Sequence, residues 1–170
     1  MSLSDRMRTA KLASLALLLA GTMLAAGCQV KPLYGNPGVV AAMSTVGISE
    51  PTNRTEQSVR NQLVFLLGGG AGEPANPAYN LQLNVTSASS SYVAQIVTNA
   101  PRPGKVTLTA NYILSRDGQI VRKGTRTMDG LFDYPEQQFA RIRAQREAED
   151  RAARELAELI RIDIASSISK

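Results

Sequence analysis

Between residues 79 and 128 apolar and polar residues alternate with a period of two, and this regularity limits the fold more than any other feature of the chain. Tyr79, Leu81, Leu83 and Val85 are interleaved with Asn80, Gln82, Asn84 and Thr86. Val106, Leu108, Ala110, Tyr112 and Leu114 are interleaved in the same way with Thr107, Thr109 and Asn111. Successive side chains of a strand leave on opposite faces, so each run predicts a strand with one face buried and the other wet. Arg116-Asp117-Gly118 supplies a tight hairpin turn, since Gly and Asp accept positive φ cheaply, and Gln119 to Met128 is the return strand. The faces of that strand are ambiguous: Ile120, Gly124 and Met128 share one with Arg122 and Arg126, and Val121 shares the other with Lys123, Thr125 and Thr127. Ser87 to Ser91 reads as a bulge or bend, Tyr92 to Thr98 as continuing strand and Asn99 to Gly104 as a loop.

Strands with one apolar face need a cover, and two amphipathic helices provide it. Asn53 or Thr52 is an N-cap, with Glu56 placed three residues after Asn53 as in a capping box. Val59, Leu63, Leu66 and Leu67 follow at helical spacing, Arg54, Gln57, Arg60 and Asn61 take the opposite face, and Gly68-Gly69-Gly70 stops the helix. After Asp133-Tyr134-Pro135 a long helix runs to about Ile168, irregular before Ala144, with Ala153, Leu156, Ala157, Ile160, Ile164 and Ile168 in one stripe. Opposite charges at i,i+4 (Glu147 with Arg151, Asp150 with Arg154, Arg154 with Glu158) line its wet side. Met43 to Ile48 adds a first strand. The order β-α-β-β-β-α describes an α+β two-layer sandwich: an antiparallel sheet of about four strands, covered on one face by two helices and polar on the other.

The N-terminus is of a different kind. Arg6, Arg8 and Lys11 form a positive n-region, Leu12 to Leu19 an apolar h-region too short for a membrane span, and Ala25-Ala26-Gly27 a small-residue run before Cys28, the sole cysteine. Leu24-Ala25-Ala26-Gly27-Cys28 resembles the lipobox of bacterial lipoproteins. That resemblance implies that residues 1–27 are a signal peptide, removed in the mature protein, and that Cys28 carries diacylglycerol on its thiol. Gln29 after the cysteine, where Asp often retains such proteins at the inner membrane, implies sorting to the outer membrane. Cys28 to Gly38 is then a lipidated tether and residues 39–170 a single domain. The formal charge of +5 falls to +3 once residues 1–27 are gone, 16 Lys and Arg against 13 Asp and Glu, so charge does not identify the partner.

Little in the chain can carry catalysis. It contains no histidine, which removes the Ser-His-Asp triad, the Cys-His dyad and imidazole metal sites. The acids of the last helix (Glu147, Glu149, Asp150, Glu155, Glu158) stand beside arginines, where a carboxylate pair for acid–base work needs burial or a like-charged neighbour. Gly68-Gly69-Gly70 lacks the Lys-Ser/Thr of a phosphate loop. The reading is therefore no enzyme, no cofactor, no metal and, for an exported chain whose bases are not interleaved with aromatics, no nucleic acid. The basic residues Arg102, Lys105, Arg122, Lys123 and Arg126 lie on or beside the hairpin, suited to grip a phosphorylated lipid or an anionic wall, or else to guard a sheet edge against aggregation.

Cys28 followed by Lys31-Pro32-Leu33-Tyr34-Gly35, then a strand, a helix with Arg60 and Leu63, three strands and a long alanine- and arginine-rich helix, resembles the lipopolysaccharide-assembly lipoprotein family LptE in its alphaproteobacterial form. The resemblance implies a domain anchored in the inner leaflet of the outer membrane, which plugs the β-barrel LptD and assists the assembly or passage of lipopolysaccharide. It also implies that basic residues hold that lipid, and Arg102, Lys105, Arg122, Lys123 and Arg126 are the positions available by location. The alternatives are an auxiliary lipoprotein of an ABC-type lipid transporter, a secretion pilotin and a lipid-anchored hydrolase.

Overall fold

A computed structural model describes residues 37–91, 103–133 and 135–169. The order is α1 (Pro37–Met43), β1 (Val46–Ile48), α2 (Arg54–Gly68), β2 (Tyr79–Ser91), β3 (Pro103–Arg116), β4 (Gln119–Asp133) and α3 (Gln138–Ile168). The strands form one sheet in the order β1-β2-β3-β4. The α+β class and the meander of β2, β3 and β4 agree with the sequence reading.

Two details differ. The sheet was expected to be antiparallel, but β1 pairs with β2 in parallel, Val46 opposite Tyr79 and Ile48 opposite Leu81. The cause is the connection: α2 lies between these strands, and a crossover helix returns the chain to the same end of the sheet. The second detail is α1, which takes in Pro37 and Gly38 from the expected tether and Met43 from the expected first strand. Proline is pre-organised for the first helical position, and Val39 and Met43 bury themselves from it.

α2 follows its sequence signals. Asn53 caps it by accepting from the Glu56 amide at 2.9 Å, and Gly69 ends it in the left-handed region at φ 58°. Glu56 does more than cap. It is 1% exposed and accepts from the Thr52 amide, the Thr52 hydroxyl and the Val85 amide, each at 3.2 Å, which ties the helix start to β2. β2 runs straight through Ser87 to Ser91 in register with β3, with no bend in the serine run. Asp117 and Gly118 turn the β3–β4 hairpin at φ 50° and 78°. α3 is continuous from Gln138, though its first buried residue is Ala148.

The core lies between the helices and one sheet face. Leu81, Leu83, Val85, Val106, Leu108, Ala110, Tyr112 and Leu114 meet Val59, Leu63, Leu67, Leu156, Ile160 and Ile164, all buried. Along α3, Glu147 and Arg151 pair at 2.6 Å as expected, whereas Asp150 is taken by Arg54 of α2 at 3.0 Å.

Candidate functional site

β4 settles the ambiguity of its two faces through its register with β3. Arg122, Gly124 and Arg126 stand opposite Leu114, Tyr112 and Ala110, so both arginines are on the helix-covered side. Lys123 and Thr125 stand opposite Ile113 and Asn111 on the open side. The register shifts by one residue at Leu114/Ser115, and Ile120 pairs with Ser115, away from the face of Arg122.

The two arginines converge on α3. Gly124 makes this possible: a Cβ there would lie 2.3 Å from the Tyr112 hydroxyl oxygen and 2.6 Å from its Cζ, so the ring crosses the space that a side chain would fill. The Tyr112 hydroxyl donates to Asp163 Oδ2 at 2.5 Å. Arg126 donates to the same carboxylate in a fork, Nε to Oδ2 and Nη2 to Oδ1, both at 2.6 Å. Arg122 stands further off, Nη2 at 3.7 Å from Oδ1, and its Nε is buried with no hydrogen-bond partner. Two guanidinium groups thus face one carboxylate. Asp163 is 8% exposed at its side chain, Arg122 and Arg126 41% and 44%.

The electrostatics follow from this geometry. The Arg126 hydrogen bonds hold the Asp163 carboxyl below its ordinary value against the cost of burial, with help from Tyr112 and Arg122. Burial first, and then the hydrogen bond and charge of Asp163, push the Tyr112 phenol up. Asp163 raises Arg126, so the arginine is charged at every accessible pH.

The open face carries Lys105 and Lys123. Lys105 pairs with Asp129 at 3.1 Å, and Thr107 donates to the same carboxylate at 2.6 Å. The Thr107 hydrogen bond, followed by Lys105, lowers the Asp129 carboxyl. Lys123 lies on this face too, eight β3 residues from Lys105 by register, or about 27 Å at 3.4 Å per residue. Polar rows fill the distance: Asn84, Asn111 and Thr125, then Thr86, Thr109 and Thr127. The Thr125 hydroxyl donates to Asn111 Oδ1 at 2.8 Å.

Of the five basic residues singled out from the sequence, the structure brings Arg122 and Arg126 together and sets Lys105 and Lys123 on the opposite face. Arg102 and the acylation candidate Cys28 lie outside the described residues. Sequence reasoning missed Asp163, and it took Tyr112 for an ordinary core position. A signal was present: Asp163 interrupts the apolar run Leu159-Ile160-Arg161-Ile162-Asp163-Ile164, where an acid needs a partner. Among the described residues no group of His, Cys, Asp and Glu side chains could hold a metal ion, and no helix is long and apolar enough to cross a membrane.

The family model LptE, described as lipopolysaccharide-assembly, matches residues 43–164. No curated protein sequence matches the chain significantly. Among solved structures the chain is similar to a lipoprotein from Caulobacter crescentus CB15, with 25% identity and a TM-score of 0.64 over 78% of this chain and 96% of that one. A minor lipoprotein from Acinetobacter baumannii shares the fold at 15% identity and a TM-score of 0.53, over 71% of this chain and 88% of that one. So does the rare lipoprotein B from Shewanella oneidensis, at 13% identity and a TM-score of 0.53, over 71% and 92%.

Proposed function

The chain belongs to the lipopolysaccharide-assembly family LptE, and from that membership we propose that it is an outer-membrane lipoprotein, tethered through Cys28, whose domain plugs the β-barrel LptD and assists lipopolysaccharide assembly. The family is not an enzymatic one. The observation that carries the reading is the extent of the match, which takes in all four strands of the described residues and all of α2.

The domain has properties that suit the role. A barrel wide enough to pass a large glycolipid encloses water, so whatever fills it must present polar surface to a wet wall. The rows of Asn and Thr across β2, β3 and β4 are such a surface, and the helices cover the apolar side. In this reading residues 1–27 are removed, the segment from Cys28 to the start of α1 at Pro37 is the tether, and acylation of Cys28 holds the mature chain on the membrane, each buried CH₂ contributing about 0.8 kcal/mol. The described basic residues divide between two tasks: Arg122 and Arg126 meet phosphate groups of lipopolysaccharide, while Lys105 and Lys123 face the barrel wall.

The test is purification of the tagged full-length protein from detergent-solubilised outer membranes, with mass spectrometry of what accompanies it. A stoichiometric LptD barrel is expected. Recovery of the protein alone, or with inner-membrane transporter subunits, would overturn the plug reading in favour of an auxiliary lipoprotein of an ABC-type lipid transporter or a secretion pilotin.

A further inference from the structure

We propose that Arg122 and Arg126 form a seat for a phosphomonoester in which Asp163 is the resident counter-anion, so that an arriving phosphate competes with a carboxylate belonging to the protein itself. The inference deepens the assignment of these arginines to lipopolysaccharide phosphate and rests on it.

Three observations on the cluster support it. First, charge is unbalanced, two guanidinium groups against one carboxylate, and both arginine side chains are more than two-fifths exposed. Second, the two arginines are occupied unequally. Arg126 spends its fork on Asp163 at 2.6 Å, whereas Arg122 lies beyond hydrogen-bonding distance of that carboxylate at 3.7 Å and leans on the Tyr112 hydroxyl instead. Guanidinium donors are arranged for bidentate pairing with carboxylate or phosphate alike, and the partly exposed Arg122 lacks the bidentate oxyanion that Arg126 has. Third, the carboxylate is held from the sheet by Tyr112 of β3, whose ring fits only because residue 124 is glycine. The occupant therefore stays in place when no ligand is present, and its charge offsets the repulsion between the two arginines. A phosphate entering from the exposed side meets the exposed part of the Arg122 side chain first and then shares or displaces the Arg126 fork. The cost of that displacement weakens binding, which lets the site release its ligand as well as capture it.

Replacing Asp163 by Asn keeps its shape and its Tyr112 contact but removes its charge, which leaves the outer donors of Arg126 unspent. The full-length protein in non-ionic detergent micelles would be titrated calorimetrically with inorganic phosphate, with micelles containing bisphosphorylated lipid A, and with micelles containing its dephosphorylated form. Asp163→Asn is expected to bind phosphorylated probes at least threefold more tightly than wild type, Arg122→Gln at least threefold more weakly, and the dephosphorylated form is expected to separate none of the variants. A tightening seen with lipid A alone identifies the lipid headgroup as the source, and one seen equally with inorganic phosphate identifies the free anion. If Asp163→Asn binds no tighter while Arg122→Gln still loses affinity, the resident-anion idea fails and the arginine assignment stands. If Arg122→Gln and Arg126→Gln both bind like wild type, the arginine assignment itself fails. Should Asp163→Asn not fold, Tyr112→Phe loosens the carboxylate without removing it and must give a smaller rise, and its absence would overturn the proposal.

Discussion

Replacing Gly124 with alanine tests the packing at the centre of the site. The new Cβ would stand 2.3 Å from the Tyr112 hydroxyl oxygen, so that oxygen must retreat by roughly 1 Å to reach ordinary contact. The ring is 2% exposed in a close-packed core and its hydroxyl is tied to Asp163, so the displacement falls on that hydrogen bond. Overpacking of this kind costs about 1–3 kcal/mol, and a lost hydrogen bond to a charged group about 1.5–3 kcal/mol. Alanine returns about 0.4–1 kcal/mol by restricting the unfolded chain. The net expectation is a destabilisation of about 2–4 kcal/mol. Equilibrium urea unfolding followed by far-ultraviolet circular dichroism measures it, since the chain has no tryptophan to report by fluorescence. With a slope near 2 kcal/mol/M the midpoint should fall by about 1–2 M. The same substitution in a Tyr112→Phe background should cost clearly less, because the nearest ring atom is then Cζ at 2.6 Å and no hydrogen bond remains to break. A Gly124→Ala protein with an unchanged midpoint, or one equally destabilised in both backgrounds, would refute the reasoning.

Asp163 sets an acid dependence. Its carboxyl is held below the ordinary value of 3.8, so its contribution is present above that value and disappears as pH falls through the folded-state value. The difference in melting temperature between wild type and Asp163→Asn should therefore shrink steadily from about pH 4 downward, as thermal melts between pH 6 and 2 would show. Glu56→Ala removes three hydrogen bonds and strands the buried Val85 amide, which should cost about 2–4 kcal/mol in the same urea assay. Cys28→Ser removes the proposed acylation site, and the protein should then leave the membrane pellet for the soluble fraction on cell fractionation.

The sequence carries the meander plainly, because alternation in β2 and β3 coincides with burial on one face and the Asp-Gly turn closes the hairpin. It also carries both long helices, whose caps and stripes are local signals. It does not carry the direction of β1: three residues contain no record of whether they run with or against Tyr79–Leu81, and the tertiary path decides. β4 was illegible for another reason. Arg122 and Arg126 occupy a face that, on an interior strand, hydrophobes would claim, and an edge strand tolerates them because one acid on a helix some forty residues later faces them. Nothing local to β4 announces that acid, and nothing local to α3 announces the arginines. The candidate site was thus visible as a set of basic residues, but its division between two faces and its counter-ion come from packing alone.

Gly124 has one more consequence, for how the hairpin finds its alignment. A β4 displaced by two positions along β3 would keep every side chain on its proper face, and the Thr and Asn rows of the open side would pair nearly as well as before. Such a slip would bring the Cβ of Arg122 or Arg126 beneath the Tyr112 ring, where the native chain has only hydrogen. The glycine therefore works as a keyway cut for a single key. Along a strand whose chemistry is otherwise permissive, it is the missing side chain that excludes the neighbouring misfolds.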